Sequence, residues 1–380
     1  MYHSSIPPSS LSRTIKCPWS LTACYERNTT NDAAAEGTTA HWGCEVVLNS
    51  YKTPGATPII LSNMVGEVCP DTGMVFTEDM AEYCRVYVNY ILKIVNNTGT
   101  LQNMLVEERV DIPMIHEGCW GTLDNGIYIP QHQTLIICDL KYGYRYVEPV
   151  ENIQLMAYAS GLISKYGLPP ETKVTLVIAQ PRPYHRLGPI REWHTTAGEI
   201  RPYINTAHNA VSEALNGNAR ANTGSHCQYC ARLPDCPAAQ QASYNAIQVT
   251  MQNFDTVEYL PENLAQCLDN LEQAEEIIKM RTDALRELAK KQVKEGVTIP
   301  GYEIRETFGR PVWTKSEDEV KAFGNVMGVG LTKESLMSPS EAKKAGVPDE
   351  LVKKLTTRQS KGLSLKRTDN SLAKIIFSKR

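Results

Sequence analysis

The sequence contains no apolar run long enough to cross a bilayer, so no membrane span is expected. It also lacks a charge imbalance: 39 Lys and Arg stand against 42 Asp and Glu, a net charge of −3. Such a chain is neither a polycation nor an acidic tail protein, and any nucleic-acid surface has to be local. There is no internal repeat and no low-complexity tract, which excludes solenoids and compositionally biased linkers. Residues 1–10 carry Pro7, Pro8 and several serines but no apolar core, so they do not read as a signal peptide. The expected location is the cytoplasm, where disulfides are rare.

What is present bounds the architecture. With 380 residues, 42% of them hydrophobic, the chain can bury a full core and is expected to hold two domains or more. Eleven cysteines is a high count for a reducing compartment. Cys24, Cys44, Cys84, Cys138 and Cys267 sit singly in apolar or helical surroundings and read as small buried side chains. Cys227, Cys230 and Cys236 differ: they form C-x2-C-x5-C in a stretch punctuated by Gly and Pro.

Taken in order, residues 9–25 predict a short helix carrying Leu11, Cys17, Trp19 and Leu21, followed by a polar linker at 28–32. Residues 33–48 predict a helix with Ala40, Cys44, Val47 and Leu48 on its apolar stripe and Glu36 and His41 near its start. Residues 51–75 read as loop, and 77–96 as an amphipathic helix with Met80, Tyr83, Cys84, Tyr87 and Ile91 in register. Three strand-like runs follow, at 104–112, 118–129 and 134–141; being close in sequence they predict an antiparallel meander. A helix at 152–165, a continuous apolar strand at 174–180 and a helix at 199–215 complete this unit.

The run 134–141 ends in Asp139-Leu140-Lys141. Side chains alternate along a strand, so Asp139 and Lys141 share one side. A carboxylate and an ammonium at the end of a buried strand are costly unless they have a task. Gly121-Thr-Leu-Asp124 supplies a second carboxylate, His41 an imidazole, and Gln154 and Tyr158 share a helix face, being four apart. Asp124 and Asp139 are hard oxygen ligands suited to Mg²⁺ or Mn²⁺, and an imidazole shifts the preference toward Mn²⁺. The Leu140 carbonyl offers a further ligand, and Lys141 is placed to orient water or to stabilise developing negative charge. Each piece alone is common; D-x-K alone is an ordinary ion pair. Their conjunction, in order and on suitable elements, is the signal. Four thiolates, Cys17 and the clustered three, suit either Zn²⁺ or a [4Fe–4S] cluster.

These pieces together resemble the PD-(D/E)XK nuclease superfamily, and within it the RecB-like iron–sulfur exonucleases: the CRISPR-associated exonucleases, the AddB nuclease domain and related phage proteins. The resemblance covers roughly residues 9–240. It implies an α/β, restriction-endonuclease-like core, a central mixed sheet flanked by helices, with an iron–sulfur-stapled helical part and a C-terminal helical or α+β extension. It implies a metal-dependent DNA exonuclease acting in phage DNA processing or recombination. His41, Asp124, Asp139 and the Leu140 carbonyl would hold Mg²⁺ or Mn²⁺. Asp124, Asp139, Lys141, Gln154 and Tyr158 would carry the chemistry. Cys17, Cys227, Cys230 and Cys236, with Cys-Pro at both ends, would hold a [4Fe–4S] cluster, structural Zn²⁺ being the alternative. The proline of the superfamily name is absent, Leu123 preceding Asp124 as in the RecB branch. DNA, single-stranded or at ends, is the expected partner, with homo-oligomers or phage recombination proteins as further partners. The host cytoplasm is the expected location for a phage-encoded chain.

The domains are therefore expected at 1–245 (nuclease and cluster), 246–300 (long helical segment) and 301–380 (small basic region). In the long helix Leu264, Leu271, Ile278 and Leu285 recur every seven residues, but Cys267, Ala274, Arg281 and Leu288 make an imperfect seam. The last 30 residues hold nine Lys or Arg against Asp369. Two other readings are a non-catalytic DNA-binding or assembly protein that retained a nuclease fold, and a redox-sensing DNA-binding protein centred on the cluster.

Overall fold

The computed structural model describes residues 4–21, 32–55, 57–228, 230–251, 261–308, 312–331, 337–357 and 360–367. The chain divides into two compact units, Met1–Ala284 and Leu285–Arg380. Residues 28–31 of the expected 28–32 linker, Cys24, and half of the basic last 30 residues lie outside the described residues, as do the side chains of Leu264 and Cys267.

The first unit is built on a five-stranded mixed sheet in the order β1-β2-β3-β4-β5: Met104–Asp111, Trp120–Ile129, Thr134–Leu140, Lys173–Ala179 and Ile190–Thr196. The first three strands form the expected antiparallel meander. β3 and β4 are parallel, which requires a crossover, and helix α4 (Ile153–Tyr166) supplies it. β4 and β5 are antiparallel. β5 was not expected: its two buried side chains are Arg191 and Thr195, so it shows no apolar alternation.

Helices cover both faces. Helix α2 (Asp32–Lys52) packs through Ala40, Cys44, Val47 and Leu48. Helix α3 (Glu78–Thr98) packs through Met80, Cys84, Tyr87, Ile91 and Val95, and both meet Ile136, Cys138 and Leu140 of β3. Thr77 caps α3, its side chain accepting from the Met80 N–H, and Gly99 closes it in the left-handed conformation. The opposite face buries α4, helix α5 (Ala197–Leu215) and helix α1 (Leu11–Lys16) against Leu135, Ile137, Leu176 and Ile178. The expected helix over 9–25 is broken: α1 stops at Lys16 and a 3-10 turn starts at Pro18, because the residue before proline avoids the helical region. Cys17 accordingly sits at an extended backbone position between the two.

The core pattern changes face midway along β1 and β2. Met104 and Val106 lie in the α2/α3 core, whereas Val110 lies in the α4/α5 core; Ile127 and Ile129 lie in the former and Leu123 in the latter. The crossover point is the opposed pair Glu107 and Asp124, bracketed by Val106↔Asn125 and Glu108↔Leu123. Glu107 holds a left-handed φ of 46°, a conformation that costs a non-glycine residue about 1–3 kcal/mol.

Helix α6 (Pro237–Met251) follows the cysteine segment, and helix α7 (Pro261–Lys294) spans the division between the units. On α7, Met280 and Ala284 pack against Cys227, Leu233, Cys236 and Ala239. Leu271 and Ile278, on the sevenfold seam, are exposed.

The second unit holds two small antiparallel pairs. β6 (Tyr302–Phe308) pairs with β9 (Ser360–Arg367), and β7 (Val312–Trp313) with β8 (Thr356–Thr357). Its core is Val320, Leu331, Ala342, Val347 and Val352, carried partly on helices α8 (Glu317–Val326), α9 (Pro339–Lys344) and α10 (Asp349–Leu355). Capping boxes at Ser316/Glu319 and Ser338/Glu341 start α8 and α9.

Candidate metal centre

The site lies where β2 parts from β3. Their ladder runs only from Asn125↔Cys138 to Ile129↔Thr134. Beyond it, the Leu140 N–H donates to Asp124 Oδ2 over 2.7 Å, so the carboxylate takes over the donor that the strand no longer satisfies. The Lys141 N–H continues on the other side to the Ala179 carbonyl at 2.8 Å. Asp139, 2% exposed, keeps its side chain on the α4 side, and Lys141 Nζ reaches its Oδ2 at 2.7 Å. The expected Asp139–Lys141 pairing is therefore present. Gln154, on the first turn of α4, donates through Nε2 to Asp139 Oδ1 (3.3 Å) and accepts from Lys141 Nζ (3.5 Å). Asn152 sets that turn by capping α4.

His41 arrives from the opposite layer on α2. Its Nδ1 stands 3.4 Å from Glu107 Oε1 and 3.5 Å from Asp124 Oδ2. Among the described residues these three form a group whose ligand atoms all lie within 4.8 Å of one another. Two ligands of one Mg²⁺-sized ion at about 2.1 Å stand at most about 4.2 Å apart; the His41–Glu107 and His41–Asp124 separations fall inside that limit, which makes the group a candidate cation site. Glu107 is the member of this group that the sequence did not single out. Glu107-Glu108-Arg109 reads as the charged face of an edge strand, and no motif announces the left-handed backbone that turns Glu107 toward His41.

Tyr158, one turn beyond Gln154, is buried with its hydroxyl beside Gly121. A Cβ at position 121 would lie 2.7 Å from Tyr158 Oη and 2.9 Å from Pro8 Cδ, which explains the glycine of Gly121-Thr-Leu-Asp124. Tyr158 thus borders the site, where burial, seconded by Asp124 and Asp139, raises its hydroxyl above the usual tyrosine range.

Burial and like charge shape the electrostatics. Burial pushes the Asp139 carboxyl up to about 6, against the pull of Lys141, with Asp124 adding to the rise. Burial likewise raises Asp124, opposed by His41 and seconded by Glu107. For His41, burial disfavours the imidazolium, but Asp124, Glu107 and Asp139 outweigh it and raise the ring to about 9. Lys141 is held above the usual lysine range: burial opposes its charge, and Asp139 and Asp124 overcome that. The buried acids and the two cations beside them thus hold one another's charge.

Three of the four singled-out cysteines, Cys227, Cys230 and Cys236, share one small core, and Cys17 is linked to Cys227 through Asn222. Cys17, Cys227 and Cys236 are buried, and Cys230 is half-buried. The Asn222 N–H donates to Cys17 Sγ (3.4 Å) and the Cys227 thiol to the Asn222 carbonyl (3.8 Å). Arg13 on α1 donates to the His226 and Gln228 carbonyls, fixing α1 to the C-x2-C segment. Burial raises the Cys227 and Cys230 thiols, and the neighbouring cysteines add to both. Arg232 stacks over Trp19 at 3.7 Å beside them.

Fold and site together define an α/β protein with a candidate divalent-cation centre at the parting of two sheet strands. The chain belongs to the family described as Protein of unknown function (DUF2800), whose model matches residues 3–364. No curated protein matches the chain. Among the described residues no helix is long and apolar enough to cross a membrane.

Proposed function

We propose that the protein is a metal-dependent DNA exonuclease of the RecB-like PD-(D/E)XK type, with a restriction-endonuclease-like core. The observation that carries the reading is the convergence of His41 from α2, Asp124 from β2, Asp139 and Lys141 from the end of β3, and Gln154 from α4. Asp124, Asp139, Lys141 and Gln154 follow one another over a short stretch of chain, and His41 joins them from a distant helix. Glu107 joins them as a further carboxylate.

His41, Glu107 and Asp124 would hold the cation, with Asp139 and the Leu140 carbonyl at the strand end beside them. A bound Mg²⁺ or Mn²⁺ would activate water and neutralise charge at the phosphodiester. Lys141 is the cation that this chain itself supplies next to the attacked phosphate, and Asp139 and Gln154 hold its ammonium in place. Gln154 bonds both partners and so fixes their relative orientation. Tyr158 supports that helix face from behind Gly121.

The cysteine group fits a [4Fe–4S] cluster held by Cys17, Cys227, Cys230 and Cys236. The shared core of Cys227, Cys230 and Cys236, the Asn222 link to Cys17 and the Arg13 contacts support it. Its role would be to staple α1 to the segment after α5, since the free energy of binding the cluster is then free energy of folding.

The test is hydrolysis of linear DNA by the purified protein with Mn²⁺, with EDTA and Asp139→Ala as controls. Degradation that needs Mn²⁺ and is abolished in the variant is expected. Intact DNA under all conditions would remove the assignment.

A further inference from the structure

Beside the metal centre two loops carry an unusual concentration of solvent-facing rings. Residues 142–147 follow Lys141 directly and residues 182–187 follow β4. Tyr144 is 63% exposed, Tyr146 55% and Tyr184 86%. Exposed arginines, Arg145 and Arg186, are interleaved with them. Large aromatic side chains left in water one beside another mark a contact surface.

The rings stand on a fixed backbone. Gln180 is fully buried at the root of both loops. Its Nε2 donates to the Gly143 and Arg145 carbonyls (2.9 and 2.6 Å), and its Oε1 accepts from the Val147 N–H (3.2 Å) and from Arg191 Nη2 (2.8 Å). The Arg182 guanidinium lies over the rings of Tyr142 and Tyr144, at 4.5 and 4.3 Å. The Tyr146 hydroxyl donates to the Tyr184 carbonyl, tying one loop to the other, and its ring meets His185 edge-on at 5.6 Å. The nearby acids are already engaged: Glu36 with Arg182 (2.8 Å), Glu148 with His185 and Arg191 (3.3 and 3.4 Å), Glu151 with the Tyr203 hydroxyl (2.8 Å).

The surface leads into the site. A cleft of about 410 Å³ is bordered by Arg145, Tyr146, Asn152, Gln154 and Lys141. On its other flank, Arg182 bonds Glu36, which precedes His41 by five residues on α2, about 7.5 Å along the helix axis.

We infer that loops 142–147 and 182–187 form a stacking track for single-stranded DNA that delivers the strand to Lys141 through this cleft. Exposed rings accept unpaired bases of any kind, and the interleaved arginines meet the phosphates between them. A duplex keeps its bases stacked inside and offers these rings nothing. The overall charge of −3 requires such a surface to be local, and here it is. The inference rests on the nuclease reading for the fate of the strand, but binding is measured apart from cutting.

The experiment is fluorescence anisotropy of a labelled oligothymidylate with the full chain in EDTA, so that no hydrolysis intervenes. Tyr144→Ala/Tyr184→Ala should weaken binding at least tenfold, and Tyr144→Phe/Tyr184→Phe should bind as the wild type does. Both rings are exposed, and an unchanged melting temperature confirms folding. A blunt duplex should bind more weakly and respond little. Unchanged binding by the alanine variant, no binding by the wild type, or equal losses for single strand and duplex would each overturn the track. Mn²⁺-dependent cleavage is read in parallel. A wild type that cuts, with an alanine variant that binds normally, removes the track alone. A wild type that binds through these tyrosines yet cuts nothing removes the nuclease reading alone.

Discussion

Glu107 and Asp124 oppose each other across the β1–β2 ladder, and both carboxylates reach the same ring nitrogen of His41, at 3.4 and 3.5 Å. The backbone strain at Glu107 falls on this one pair, where the two strands also switch the face on which they bury side chains. Gln133 and Glu151 share the left-handed φ, so it is the coincidence of that strain with His41 and Asp124 that marks Glu107 as a candidate ligand. Glu107→Gln should therefore weaken Mn²⁺ binding about tenfold or more while leaving the metal-free protein folded, as followed by calorimetric titration. Wild-type affinity in this variant would remove Glu107 from the ligand set.

Proton release follows from the same geometry. In the metal-free protein His41 is charged up to about pH 9, and a metal ligand must be neutral. Binding of Mn²⁺ at neutral pH should therefore release about one proton, and affinity should rise as pH increases toward 9. Titrations in two buffers of different ionisation enthalpy measure the proton count. A count of zero would mean that His41 stays outside the coordination.

Lys141→Ala should leave Asp139 buried without its cation. Removing one partner of a buried pair costs about 3 kcal/mol. The cost depends on pH with a definite sign. With Lys141 beside it the Asp139 carboxyl is raised to about 6, so stability falls as pH rises from the ordinary carboxylate range to about 6; without Lys141 the carboxyl rises further and the fall continues above 6. Below that pH the acid is neutral and needs Lys141 little. The loss of stability, read from urea midpoints, should be larger at pH 8 than at pH 5. Equal losses at both would contradict the buried-pair account.

Gly121→Ala should destabilise by about 1–3 kcal/mol, the usual range for overpacking, because its Cβ meets Tyr158 Oη and Pro8. Adding Tyr158→Phe should recover part of that loss. A double-mutant cycle with no coupling would show that the glycine is there for another reason.

The cysteine group makes a prediction visible to the eye. Aerobically purified protein should be brown, absorbing broadly near ~400 nm from thiolate-ligated iron. Cys230→Ser should lose the colour and lower the melting temperature. Colourless wild type holding stoichiometric zinc would replace the cluster with zinc.

Much of this was legible in the sequence because the relevant signals are periodic or local. The α2 stripe of Ala40, Cys44, Val47 and Leu48 and the apolar run of β3 both report burial directly. Asp139 and Lys141 stand two apart, the first on β3 and the second just past its end, so their pairing needed only alternation. What stayed hidden depends on contacts across the fold. β5 buries Arg191 to serve Gln180, and polar side chains facing inward erase the strand signal. Glu107 acts through a backbone angle that no residue type announces. The break at Cys17-Pro18 was readable, and the proline rule outweighed the apolar pattern around it.

The central claim is that this strand end hydrolyses DNA. The measurement that tests it most directly is a time course on end-labelled single- and double-stranded linear DNA with Mn²⁺, comparing wild type with Asp139→Ala. The account predicts progressive loss from an end by the wild type, fastest on the single strand, and no loss in the variant. Full-length DNA throughout, or equal degradation by Asp139→Ala, would contradict it.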